Sequence, residues 1–228
     1  MSTDRLLPAL LLALTAVTGF VDAVSYLALG HVFTANMTGN VVFLGFASAA
    51  APGLSMGRSG AALGAFVIGA AIGGRLAAWM GSGPRHRWTS LGFGIEAMLL
   101  LAAAAVAAGA GDDLLRDPAR LYRLIALTGL AMGVRNAVVR KIAERDLTTT
   151  VLTLTLTGIA ADSSLAGGAN PGWTRRALSV ALMFAGAAAG AWLLRYSVAL
   201  PIAVSGIVSG LCALGARVGG VASGMSTV

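Results

Sequence analysis

Apolar residues run along this chain in eight blocks separated by short polar interruptions: about Leu6–Leu29, Val41–Ala51, Gly60–Met80, Leu91–Ala110, Leu121–Val139, Val151–Leu165, Ala177–Leu194 and Leu200–Leu214. A helix needs roughly 20 mostly apolar residues to cross a hydrocarbon core. Six blocks are comfortably long enough for full spans, and the second and sixth are marginal. Each of these two follows unusual polar sequence, Thr34-Ala35-Asn36-Met37-Thr38-Gly39-Asn40 in one case and the threonine-rich run Thr148 to Thr157 in the other.

The blocks also repeat. Gly19-Phe20-Val21-Asp22-Ala23-Val24 is echoed by Gly133-Val134-Arg135-Asn136-Ala137-Val138 at an offset of 114 residues, and Gly69-Ala70-Ala71-Ile72-Gly73 by Gly186-Ala187-Ala188-Ala189-Gly190 at an offset of 117. Near-constant offsets favour an internal duplication over chance likeness between Ala/Gly-rich segments. The expectation is a single membrane domain over 1–228, with repeat one at about 1–113 and repeat two at about 114–228. Three full spans per repeat give an inverted repeat, with the two short polar helices re-entrant. The alternative is eight spans and parallel repeats.

Composition supports a membrane solvent: the mean hydropathy is +0.83, 57% of residues are hydrophobic and 11% are charged, far from soluble averages. With 31 glycines, close helix packing through small residues is expected. Gly60/Gly64, Gly69/Gly73, Gly186/Gly190 and Gly206/Gly210 have the required spacing, and a homodimer through a glycine-rich face is one use for it. The net charge of +7 is dispersed in short clusters between apolar blocks, a pattern that sets membrane orientation and does not form a nucleic-acid stripe. Placing Arg85, Arg87, Arg140, Lys141 and Arg145 on the cytoplasmic side favours the six-span reading. Arg5 and the apolar run after it resemble a signal peptide, but the block continues into the repeated motif and reads as a retained first span. Trp79, Trp88 and Trp173 flank these loops as interfacial anchors.

Ionisable residues inside apolar blocks are costly, so each marks a candidate site. Asp22 and Glu96 are acids of this kind and the candidates for proton coupling. Arg135-Asn136 occupies the repeat position of Val21-Asp22, which predicts an Asp22–Arg135 ion pair near the midplane if a pseudo-two-fold axis relates the halves. Glycine and amide side chains in Asn36 to Asn40 suit non-helical backbone lining a cavity. The candidate pathway therefore comprises Asp22, Asn36, Thr38, Gly39, Asn40, Arg135, Asn136, Thr150, Thr153, Thr155 and Thr157. His31 and His86, placed in loops, have no ligand-spaced partners, so neither a metal nor a cofactor is expected. Nucleotide-binding, zinc-protease and nucleophile-elbow signatures are absent, which argues against an enzyme.

Gly19-Phe20-Val21-Asp22-Ala23 followed by Met37-Thr38-Gly39-Asn40, with Arg135-Asn136-Ala137 and later Thr157-Gly158, resembles the YoaK-like family of bacterial integral membrane proteins. The resemblance covers most of the chain and implies a polytopic inner-membrane protein of a family without assigned function. The functional expectation rests on the residues: a small secondary transporter or channel for a small polar solute, with its site at the repeat interface near the midplane and its N-terminus cytoplasmic. A non-transporting scaffold or accessory subunit is the main alternative, and an intramembrane enzyme using two acids a further one. Membrane lipid is the expected surrounding partner, and nucleic acid is not.

Overall fold

Long runs of Leu, Ala and Val become helices here because a bilayer offers no other partner for the backbone's own hydrogen-bonding groups. In the computed structural model, residues 3–80, 83–109, 114–142 and 152–225 are described. They form α1 (Thr3–Ala28), α2 (Met37–Ser48), α3 (Met56–Trp79), α4 (Arg85–Ala108), α5 (Pro118–Ile142), α6 (Leu152–Ala161), α7 (Trp173–Leu193) and α8 (Ala199–Met225), with no strand among the described residues. Pro118 opens α5 and Pro201 lies in the first turn of α8, where a missing N–H costs nothing. Ser55 caps α3 by accepting the amide of Arg58 at 3.4 Å.

Among the described residues five helices, α1, α3, α4, α7 and α8, are long and apolar enough to cross a bilayer. The molecule is an all-helical, multi-pass membrane protein. The fifth helix spans 25 residues but carries Arg120, Arg123, Arg135, Arg140 and Lys141. The 12 residues of α2 and the 10 of α6 reach only about 18 and 15 Å, roughly half of a hydrocarbon core.

Three helix pairs dominate the packing: α4 with α8, α3 with α5, and α1 with α7. Their directions follow from which residues meet. Gly69 lies on the backbone of Leu130 and Gly73 on that of Val134, so α3 and α5 run the same way. Gly186 lies on Ala16 and Gly190 on Phe20, so α1 and α7 also run together. Ser90 Oγ donates to the Ala213 carbonyl at 2.8 Å while Gly206 abuts Leu101, which makes α4 and α8 antiparallel. Arg85 Nη2 donates to the Ile142 carbonyl at 2.9 Å and Arg120 Nη1 to that of Gly109 at 2.6 Å, setting α4 against α5.

The tight crossings are glycine on backbone. A Cβ on Gly19 would collide with the Met183 carbonyl and the Ala187 amide, and one on Gly133 with the Phe66 carbonyl and the Ala70 amide. A Cβ on Gly73 would come within 2.6 Å of the Val134 carbonyl. Only glycine permits such approach, and dispersion across the crossing replaces the hydrophobic drive that lipid does not provide. The 69/73 and 186/190 pairs are thus filled from within the chain, whereas Gly60 and Gly64 face nothing within 4 Å.

Leu10, early in α1, meets Cys212 and Gly215, late in α8, so these directions gather the N-termini of α1, α4 and α7 and the C-termini of α3, α5 and α8 at one end, with Arg85, Arg87, Arg140, Lys141, Arg175, Arg176 and Arg217. Arg58, Arg120, Arg123 and Arg195 lie toward the other end. Arg145 lies outside the described residues. Trp79 and Trp173 are exposed at the cation-rich end, but Trp88 is buried beneath the ammonium of Lys141, 5.9 Å from the ring centroid, and is not an exposed anchor. His86 belongs to the first turn of α4 and not to a loop.

Candidate functional site

Asp22 sits near the end of α1, almost wholly buried. A carboxylate there needs donors, and the chain provides backbone: the Ala35 amide donates to Oδ1 at 3.1 Å, with the Thr34 and Asn36 amides also turned to the carboxyl group. These amides immediately precede α2, so Asp22 holds the start of a short helix whose first N–H groups have no partners in the helix itself.

Asn40, completely buried one turn into α2, fixes the same connection from the other side. Its Oδ1 accepts the Phe33 amide at 3.0 Å, and its Nδ2 donates to the Phe33 carbonyl. Phe33 in turn stacks between Tyr26 and Phe43, with centroids at 5.2 and 5.7 Å. Gly39 lies under that ring, since a Cβ would come within 2.6 Å of Phe33 Cδ2. The Met-Thr-Gly-Asn sequence therefore has two jobs: Gly39 and Asn40 seat the loop, and Thr38 is left exposed on the wall of the neighbouring cavity.

A cavity of about 290 Å³ opens beside Asp22. Its wall takes Thr18 and Asp22 from α1, Asn36, Thr38 and Gly39 from the start of α2, Leu152 and Thr153 from the start of α6, and Met183 from α7. The first turns of both short helices therefore meet at one cavity, deep along α1 and α7. Of the residues expected to form a pathway, Asp22, Asn36, Thr38, Gly39 and Thr153 are brought together. Thr155 is buried and Thr157 is exposed on α6, away from the cavity wall. Asn136 donates to its own helix at the Met132 carbonyl, 2.7 Å. Thr150 lies outside the described residues.

The expected Asp22–Arg135 ion pair is not the one formed. Arg135, with no exposed surface, donates Nη1 to Glu96 Oε1 at 3.1 Å and to the Leu14 carbonyl at 3.1 Å. Its Nη2 donates to Thr18 Oγ1 at 2.7 Å and approaches Met132 Sδ at 3.0 Å. Glu96 is equally buried, and its Oε1 also accepts Ser209 Oγ at 2.9 Å. The physical reason is placement. Arg135 on α5 faces antiparallel α4, where Glu96 is directly opposite, while three successive amides already occupy Asp22. Glu96 Oε2 and Arg135 Nε have no hydrogen-bond partner among the described residues.

Sequence reasoning missed Thr18, Met183 and Ser209. Thr18 lies one turn before Asp22, and helical spacing puts the two on one face. Met183 and Ser209 carry no such signal, because their roles come from helices remote in sequence. No group of three or more His, Cys, Asp or Glu side chains among the described residues could hold a metal ion.

Together, the bundle and its buried polar cluster define a polytopic helical membrane protein with ionisable groups held inside the membrane domain. Its sequence matches, over residues 10–215, the family described as "Protein of unknown function (DUF1275)", and the chain belongs to that family. It is 34% identical over 157 residues to the UPF0700 transmembrane protein YoaK of Bacillus subtilis (strain 168), a match covering 68% of this chain and 65% of that relative. The matched stretch is thus a little under two thirds of the relative's length. No solved structure matches.

Proposed function

We propose that the chain is a small secondary transporter or channel that passes a small polar solute through the cavity beside Asp22. The observation that carries this reading is the meeting of the first turns of two short helices at a cavity to which Thr18, Asp22, Asn36, Thr38 and Thr153 all contribute polar side chains. Non-helical backbone at membrane depth is tolerated where it lines such a space, and broken helices at a repeat interface are a recurrent way of building a solute site. Thr38, Thr153 and Asn36 offer hydroxyl and amide groups of both hydrogen-bonding senses, and Asp22 adds a carboxyl group.

The proposal includes an inverted duplication with six crossings. Residue correspondence supports it: Gly19 meets Met183, Gly186 and Ala187, and Gly133 meets Phe66, Gly69 and Ala70, the same contacts shifted by the repeat offsets. The directions of the helices support it too, since α1 and α3 run oppositely, so that the stretch between them, α2 included, makes no net crossing. The side holding Arg85, Arg87, Arg140 and Lys141 is then cytoplasmic, with the N-terminus, in a bacterial inner membrane. A homodimer through glycine would use the open Gly60/Gly64 face of α3.

Coupling would run from Glu96 to Asp22 through Arg135 and Thr18. Glu96 has a free oxygen on which a proton can reside. Protonation there weakens the hold on Arg135, whose other nitrogen already contacts Thr18 in the cavity wall. The charge of the guanidinium is then shared toward the cavity and Asp22.

A scaffold role is the second reading, favoured by the Arg135–Glu96–Ser209 cluster joining α5, α4 and α8 in a manner that fixes registry. An enzyme using both acids needs them in one cavity; Asp22 lines the cavity and Glu96 does not. Reconstituted vesicles discriminate transport from scaffolding. Swelling in iso-osmotic glycerol, urea or glycine should be faster with the protein than in empty vesicles, and Asp22→Asn or a bulky Thr153→Trp should abolish the difference for the permeant solute. Rates equal to empty vesicles for every solute, with and without a pH gradient, would remove the transport reading.

A further inference from the structure

A second feature has no part in the solute site. Along the outer face of the antiparallel α4–α8 pair runs an open, mostly apolar groove of about 960 Å³. Its floor is made of small residues, Gly94, Ala97, Gly210 and Ala213, and its rims of Leu91, Met98, Ile207, Leu211 and Leu214. Because the two helices are antiparallel, the first turn of α4 and the late turns of α8 fall at the same end. That end carries His86, Arg87 and Arg217. Arg87 and Arg217 are exposed and make no ion pair among the described residues.

We propose that this groove binds an anionic phospholipid, its phosphate held between Arg87 and Arg217 with His86 beside it, and an acyl chain laid over the glycine and alanine floor. The charge pattern selects this occupant. A long apolar slot ending in two exposed guanidinium groups matches an amphiphile with an apolar tail and an anionic head. Guanidinium suits phosphate because its planar fork donates in pairs. Basic pockets between transmembrane helices recognise anionic head groups on the same physical grounds. A second copy of the chain fits less well, because it would bring the same arginines toward one another across a two-fold interface.

The floor also explains two glycines that internal packing leaves unused. A Cβ on Gly94 would meet nothing within 4 Å, and one on Gly210 only the Ala97 methyl at 3.7 Å. Both therefore keep the slot deep without serving a helix crossing.

The test is native mass spectrometry and thermal unfolding of the detergent-purified full chain with added dioleoyl phosphatidylglycerol or dioleoyl phosphatidylcholine. The wild type should retain and be stabilised by phosphatidylglycerol in preference to phosphatidylcholine. Each of Arg87→Gln and Arg217→Gln should cut that preference about five-fold, the loss expected of one cation near an anionic head group. Gly94→Leu, which fills open space, should weaken retention of both lipids while leaving the lipid-free melting temperature unchanged or higher. Equal retention of the two lipids by the wild type, an undiminished preference in the double arginine variant, or a mass showing a second copy in place of lipid would each overturn the proposal. Inorganic phosphate at millimolar concentration reproducing the full stabilisation would do so as well, because the acyl slot would then play no part.

Discussion

Arg135 and Glu96 lie opposite one another on antiparallel helices, 3.1 Å apart, and neither side chain has any exposed surface. The pair joins α4 and α5 at the depth where Thr18 and Leu14 of α1 also meet the guanidinium. Breaking a buried pair leaves a charge without compensation, which costs about 3–5 kcal/mol, whereas replacing both partners with apolar groups of similar volume is often neutral. Arg135→Met or Glu96→Leu alone should therefore lower the melting temperature in detergent sharply, and the double variant should recover most of the loss. A double variant that is stable but passes no solute assigns the pair to transport; one that is stable and fully active assigns it to registry.

Glycine crossings make a sharper prediction about packing. Gly19→Ala, Gly133→Ala, Gly69→Ala and Gly186→Ala each drive a methyl group into a neighbouring backbone, and overpacking of this kind costs about 1–3 kcal/mol. Gly60→Ala and Gly64→Ala meet open space and should gain up to about 1 kcal/mol from helix propensity. Melting curves for the six variants, measured in one detergent, check the contrast. Similar losses at all six positions would mean that the 60/64 face is itself packed against another molecule.

Cavity and loop positions should separate by chemical access. Single cysteines at Asn36, Thr38 and Thr153, on a Cys212→Ser background, should react with small charged thiosulfonates in membranes. Cysteines at Asn40 and Thr155, both buried, should not. Labelling at Asn40 with none at Thr38 would reverse the assignment of which side of α2 faces the cavity.

Asn40→Ala removes both partners of the Phe33 backbone, each of which then lies unpaired in a part-buried place. The expected loss is about 1–3 kcal/mol, together with weaker ordering of the start of α2. Asp22→Asn keeps one acceptor for the Ala35 amide and should be milder in stability than in solute flux. Comparing the two variants in melting and swelling assays separates the role of seating the loop from that of lining the cavity.

Topology is decided by cysteines at exposed positions near helix ends. For six crossings, Met56→Cys and Leu115→Cys are labelled from the periplasmic face, and Arg87→Cys and Trp173→Cys only after permeabilisation. For eight crossings, Met56 and Leu115 are cytoplasmic and Arg87 is periplasmic. Two opposite patterns thus correspond to the two readings, with Trp173 cytoplasmic in both as an internal control.

The sequence by itself determined the solvent and most of the helices, because crossing a bilayer demands long apolar runs and those runs are read directly from residue order. It also marked Asp22, Asn36, Thr38, Gly39 and Thr153, since polar groups and a helix-loosening glycine inside apolar sequence are too costly to be incidental. What it could not determine was partnership. The offset that aligned Arg135-Asn136 with Val21-Asp22 suggested that Arg135 would meet Asp22, yet the ion pair formed with Glu96. That choice depended on α5 lying antiparallel to α4 and on three backbone amides reaching Asp22 first. Likewise, Ser209, Met183 and the open slot over Gly94 belong to contacts between helices far apart in the chain. Burial costs are local and legible in residue order, but which groups relieve them is set by helix directions and crossings, and these exist only in the folded bundle.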